Sequence, residues 1–135
     1  MTIEERLAAA RVRIERIDPD ELALADDVLV IDLRCREERE ATGVIPGSIS
    51  VLRSHLEWRC DPSSPWSDPR VARPDERTVL VCADGFSSSL AAESLLDLGF
   101  TRPGDLVGGM NAWVAAGRPT QAASEQPVTP YPPRP

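Results

Sequence analysis

Histidine occurs once in this chain, as His55, and the cysteines Cys35, Cys60 and Cys82 are separated by 25 and 22 residues. There is no CxxC pair and no zinc-ligand spacing, so neither a metal site nor a cofactor is expected. Cationic residues are in short supply: 15 Lys plus Arg face 22 Asp plus Glu, for a net charge of −7. That balance argues against nucleic acid and against an anionic membrane surface as partners, and it draws in no anionic substrate. No N-terminal apolar segment is long enough for export or insertion, since Met1–Arg6 is polar. A reducing cytoplasm with free thiols is the expected setting.

What is present suffices for one domain. The 135 residues are 41% hydrophobic and 27% charged, enough to bury a core without staples. Residues 1–120 are expected to form the domain, with residues 1–16 as an N-terminal helical extension. Ile3, Leu7, Ala10, Ile14 and Ile17 recur at spacings of three and four, which reads as an amphipathic helix. That helix either packs on its own domain or, given the near-heptad spacing, joins two copies as a homodimer. Residues 121–135 hold five prolines in their last nine positions and read as a disordered, proline-rich tail.

Between these ends, short apolar runs alternate with helical patterns. Asp18-Pro19-Asp20-Glu21 is a helix start, with Asp18 as N-cap and Pro19 in the first turn. Val28–Ile31 is a continuous apolar run ending at Asp32, as in a buried parallel strand. A short charged helix from Arg36 ends at Gly43, and a second strand covers 48–51. Residues 52–60 read as helical and the proline-containing stretch 61–74 as a loop. A strand over 78–81, a helix from Ser87 to Gly99, a strand over 105–107 and a helix past Gly108-Gly109 complete the pattern. This is an α/β fold: a small parallel sheet with helices on both faces. Ligands in such folds sit beyond the C-terminal ends of the strands, where Cys82 and Asp32 both fall.

Cys82 closes an apolar strand, Gly85 turns the chain, and Ser87, Ser88 and Ser89 open a helix. Loop N–H groups and a helix start beside a thiol favour its ionised form. The alternative is a buried cysteine that packs as a small hydrophobe. Cys60, beside Trp58, is expected to pack. Cys35 is expected to be an incidental helix-start residue, the other reading being a disulfide partner for Cys82. His55 is expected in solvent, and Trp58, Trp66 and Trp113 are expected to anchor packing.

From about Ile17 to Pro119 the chain resembles the rhodanese-like superfamily, closest to its single-domain sulfurtransferases. The resemblance rests on Asp32-Leu33-Arg34 with Gly43-Val44-Ile45-Pro46-Gly47, on the Cys82 loop, and on Gly108-Gly109-Met110-Asn111-Ala112-Trp113. It implies a sulfurtransferase in which Cys82 takes sulfane sulfur from a small-molecule or protein-bound donor. A thiol or cyanide-type acceptor then removes it. Ala83, Asp84, Gly85, Phe86, Ser87 and Ser88 would form the substrate-binding loop, with Asp32 and Arg34 in support.

Three positions depart from the family's common pattern: Val44 stands for histidine, Ser87 for arginine, and Asp84 puts a carboxylate in the loop. A unit-charge pair about 4–6 Å apart costs on the order of a few kcal/mol. Thiosulfate is therefore expected to be a poorer donor than a neutral or protein-bound persulfide. Phosphatases of this fold carry an arginine six residues after the cysteine, where this chain has Ser88. A non-catalytic module that binds a partner or senses redox state is the remaining alternative.

Overall fold

Successive residues of a strand point to opposite faces, so a strand buried on both sides reads as an unbroken apolar run. In the computed structural model, which describes residues 1–129, the run at 28–32 does this. Leu29 and Ile31 face one core cluster and Val30 the other. The elements are α1 (Ile3–Arg11), β1 (Glu15–Ile17), α2 (Pro19–Leu24), β2 (Val28–Asp32), α3 (Arg36–Thr42) and β3 (Ile49–Ser50). They continue through α4 (Leu56–Cys60), β4 (Arg77–Val81), α5 (Ser87–Asp97), β5 (Arg102–Leu106) and α6 (Gly109–Ala115). All strand pairs are parallel, in the order β1-β5-β4-β2-β3. Leu56 and Cys60 of α4 and Ala91, Ala92 and Leu95 of α5 fill one face. Leu22 of α2 and Met110 and Trp113 of α6 fill the other. Among the described residues no helix is long and apolar enough to cross a membrane.

The N-terminal expectation needs correction. The helix ends at Arg11, and Glu15 and Arg16, expected to be helical, lie in strand β1. Pairing of Glu15 with Gly104 and Ile17 with Leu106 captures the backbone that the apolar spacing assigned to helix. Only Ala10 of α1 is buried, and Ile3 remains exposed. The helix docks on α5 of its own chain through Arg6, and Arg13, just past its end, pairs with the same Glu93.

The C-terminal expectation also changes. Residues 121–129 are built into the fold, while 130–135 of the expected disordered tail lie outside the described residues. Val44 and Gln121 exchange two backbone hydrogen bonds of 2.9 Å. Ser50 N–H donates to Pro127 C=O at 2.8 Å and Thr129 N–H to Ser50 C=O at 3.0 Å, so the segment covers the free edge of β3. Buried Gln126 donates through Nε2 to Asp32 Oδ2 (3.1 Å) and Ser48 Oγ (2.9 Å) and accepts from Arg39 Nη1 (3.2 Å). Gln126→Ala is expected to cost about 1–3 kcal/mol, because three buried groups lose a partner. Urea unfolding measures this, and an unchanged midpoint would show that the segment contributes nothing.

Of the expected packing anchors, Trp113 is 3% exposed but Trp58 is 54% exposed. Position 58 falls on the outer side of the short helix α4, whose inner side is taken by Leu56, Arg59 and Cys60. His55 is half-buried rather than open to solvent.

Candidate active site

Strand β4 delivers Cys82 to the edge of the core and α6 then takes over the backbone. Cys82 C=O accepts from Met110 N–H at 2.8 Å, and Ala83 C=O from Asn111 N–H at 3.0 Å. This approach depends on Gly109, with φ of 61°, where a Cβ would stand 2.5 Å from Cys82 O. The chain then reverses at Gly85, with φ of 83°, and enters α5 at Ser87. The reversal turns Gly85 N–H onto Cys82 Sγ at 3.1 Å, and Ser88 Oγ lies 3.2 Å from the same sulfur.

Burial of the thiol, 8% exposed, raises its pKa. The Ser88 hydroxyl and N–H, the Ser87 hydroxyl and the Gly85 N–H outweigh it, so the net position is below an ordinary cysteine. Cys60 shows the contrast: burial first, then Glu57 and Asp68, push it up to about 12. Cys35 is exposed and caps α3, with its thiol and its N–H both 3.3 Å from Glu38 Oε1.

The other loop residues divide. Gly85 and Ser88 are buried at the sulfur, Ala83 is half-buried, and Asp84, Phe86 and Ser87 are exposed. The Asp84 carboxylate accepts from Asn111 Nδ2 at 2.7 Å. In solvent such a charge is screened, so its repulsion of an anionic donor is smaller than the loop sequence suggests. Arg11 lies over the Phe86 ring, 5.8 Å from its centroid.

Asp32 and Arg34 form a buried bidentate pair, Nε to Oδ1 at 3.0 Å and Nη2 to Oδ2 at 2.9 Å. Arg34 also donates to Thr42 Oγ1 (2.8 Å) and Gly43 C=O (3.1 Å), which locks α3 to the end of β2. Among the described residues neither side chain hydrogen-bonds loop 83–88. The link runs through the backbone, Leu33 N–H to Val81 C=O at 2.8 Å.

Sequence reasoning missed Asp105, Arg11 and Arg16. Asp105 of β5 is fully buried, and its Oδ2 accepts from Ser88 Oγ and Ser89 Oγ, both at 2.7 Å. Arg16 Nε donates to Oδ1 at 2.8 Å, and Arg16 Nη2 also reaches Gly85 C=O at 3.1 Å. Arg11 Nη2 donates to the same carbonyl at 2.7 Å. Two guanidinium groups thus clamp the turn that presents Gly85 N–H to the sulfur. The one sequence signal was an aspartate opening an apolar strand, which buries only with partners.

The model of the rhodanese-like domain family matches residues 18–116, and the chain belongs to that family. It is 31% identical over 91 residues to adenylyltransferase and sulfurtransferase UBA4 of Candida albicans, covering 63% of this chain and 19% of that protein. The chain thus spans about a fifth of that relative's length. A protein of unknown function from Rhodopseudomonas palustris, described as a possible tyrosine phosphatase, superposes with a TM-score of 0.84 at 35% identity. That match covers 90% of this chain and 95% of the other. Thiosulfate sulfurtransferase from Pseudomonas aeruginosa superposes at 0.70 with 26% identity, over 94% of this chain and 23% of that one. The family and its sulfurtransferase relatives support sulfur transfer in general terms.

Proposed function

We propose that this chain is a sulfurtransferase that carries sulfane sulfur as a persulfide on Cys82. The observation that supports it most is the seat of the thiol: Gly85 N–H at 3.1 Å, Ser88 at 3.2 Å and a depressed pKa at a strand end. The Cys82 thiolate attacks the outer sulfur of a donor R–S–SH, and the S–S bond breaks with its electron pair leaving on R–S⁻. The outer sulfur and its proton stay on Cys82 as a persulfide, and R–S⁻ takes a proton from water. An acceptor thiolate or cyanide attacks that outer sulfur and returns Cys82 as thiolate. Loop N–H groups cradle the outer sulfur. The donor is a small-molecule or protein-bound persulfide, with thiosulfate less favoured beside Asp84. A homodimer through α1 would have to use Ile3 and Val12, which are exposed, because Arg6, Arg11 and Arg13 are spent on α5 and its loop.

Phosphoryl transfer is the weaker reading. Residues 83–88 include no arginine, and Arg11 and Arg16 are committed to Gly85 C=O, Ser89 and Asp105. A phosphate dianion would lack a bidentate partner.

Incubation with a low-molecular-weight persulfide or with thiosulfate is expected to give protein one sulfur atom heavier, and cyanide is expected to release it as thiocyanate. Cys82→Ala should show neither. Sulfur retained by Cys82→Ala would move the carrier to another cysteine, and none taken up by the native chain from any donor would replace this reading with a partner-binding module.

A further inference from the structure

A carboxylate can only accept hydrogen bonds. The 2.7 Å contact between Ser88 Oγ and Asp105 Oδ2 therefore holds the one Ser88 hydroxyl proton. Ser88 Oγ can then meet Cys82 Sγ only as an acceptor, which requires the protonated thiol to donate. Stabilising the thiolate requires the reverse, with the Ser88 proton on sulfur. The two arrangements exclude each other, and 3.2 Å and 2.7 Å place Ser88 within reach of both.

We propose that Asp105 is a positioning residue that competes with the Cys82 sulfur for the hydroxyl proton of Ser88, and so sets how readily Cys82 ionises. On ionisation Ser88 rotates its proton from Asp105 to sulfur. Asp105 is not stranded, because Ser89 Oγ at 2.7 Å and Arg16 Nε at 2.8 Å still pair it. The other charged groups around the site are committed elsewhere. Arg11 and Arg16 hold Gly85 C=O, Asp84 is held in solvent by Asn111, and Asp32 is closed off by Arg34.

The competition has a consequence for sulfur carriage, which rests on the sulfurtransferase reading. A Cys82 sulfur bonded to a second sulfur carries neither proton nor full charge, so it leaves the Ser88–Asp105 bond intact. The bare thiolate spends that bond. Asp105 therefore favours the sulfur-loaded form over the empty thiolate.

The test needs no sulfur donor, so its failure is distinguishable from failure of the sulfurtransferase reading. Alkylation of the full chain by iodoacetamide is followed against pH on the Cys82 peptide by mass spectrometry. This separates Cys82 from exposed Cys35, while Cys60 at about 12 stays silent. In Asp105→Asn the amide can donate to Ser88 Oγ and free the hydroxyl proton for sulfur. The midpoint is expected to fall by about one pH unit, read as roughly tenfold faster alkylation below the native midpoint. In a Ser88→Ala background the same substitution should lower the midpoint clearly less, because only the direct effect of the lost charge remains. An unchanged or raised midpoint in Asp105→Asn overturns the proposal. So does an equally large fall without Ser88, which would be a direct charge effect alone. Should Asp105→Asn fail to fold, Asp105→Ser applies the same test, since its hydroxyl also donates.

Discussion

Arg34→Ala is expected to destabilise the fold by about 3–5 kcal/mol, the usual result of stranding one member of a buried ion pair. Asp32 is 2% exposed and the Arg34 side chain 3%, so water cannot replace the lost guanidinium. Thr42 Oγ1 and Gly43 C=O lose their donors in the same step, and α3 loses its anchor to β2. Arg34→Lys should recover little, because one ammonium cannot reproduce a planar fork that reaches both carboxylate oxygens and the helix end. Urea unfolding at neutral pH measures the loss. A loss below about 1 kcal/mol at neutral pH would place the pair among surface-like bridges instead.

Gly104→Ala is expected to separate β1 from β5. A Cβ at Gly104 would stand 1.6 Å from the Glu15 carbonyl oxygen, 2.6 Å from its carbon and 3.2 Å from its Cα. The obstruction is backbone in the neighbouring strand, so no side-chain rotation relieves it. The cost should exceed the ~1–3 kcal/mol of ordinary overpacking. Detachment of a three-residue strand also removes Arg16 from Asp105 and from Gly85 C=O. Thermal unfolding should therefore shift strongly downward. Hydrogen exchange should speed at Val107, whose N–H donates to Ile17 C=O at 2.8 Å. Native stability with native protection at Val107 would contradict the argument.

The central part of the fold was legible because its signals are local. The apolar run Val28–Ile31 and the strand over 78–81 read as strands buried on both faces, and Asp18-Pro19 as a helix start, and the structure has β2, β4 and α2 there. The ends were misread because their structure is set by distant partners. Ile14 and Ile17 keep a helical spacing, but Ile17 is held by pairing with Leu106. Residues 121–129 have a loop-like composition, yet Gln126 finds Asp32, Ser48 and Arg39, which lie far away in sequence. The proline and glycine of Arg102–Leu106 hid the length of β5, where Gly104 is required by the closeness of β1.

The site divides in the same way. A cysteine at the end of an apolar strand, a glycine three residues on and serines opening a helix are contiguous, which made the candidate thiol and its loop legible; the family reading also needed the segments at 32–34, 43–47 and 108–113. The supporting role of Asp32 and Arg34 came from the family resemblance. What only the tertiary structure decided is the electrostatic setting of that thiol. Asp105, Arg16 and Arg11 come from β5, β1 and α1, and in isolation the two arginines look like ordinary surface charges. Folding places the carboxylate at zero exposure behind Ser88 and brings two arginines onto one carbonyl. A buried charge must be met by whatever neighbours the fold supplies, and no spacing along the chain encodes which ones those are.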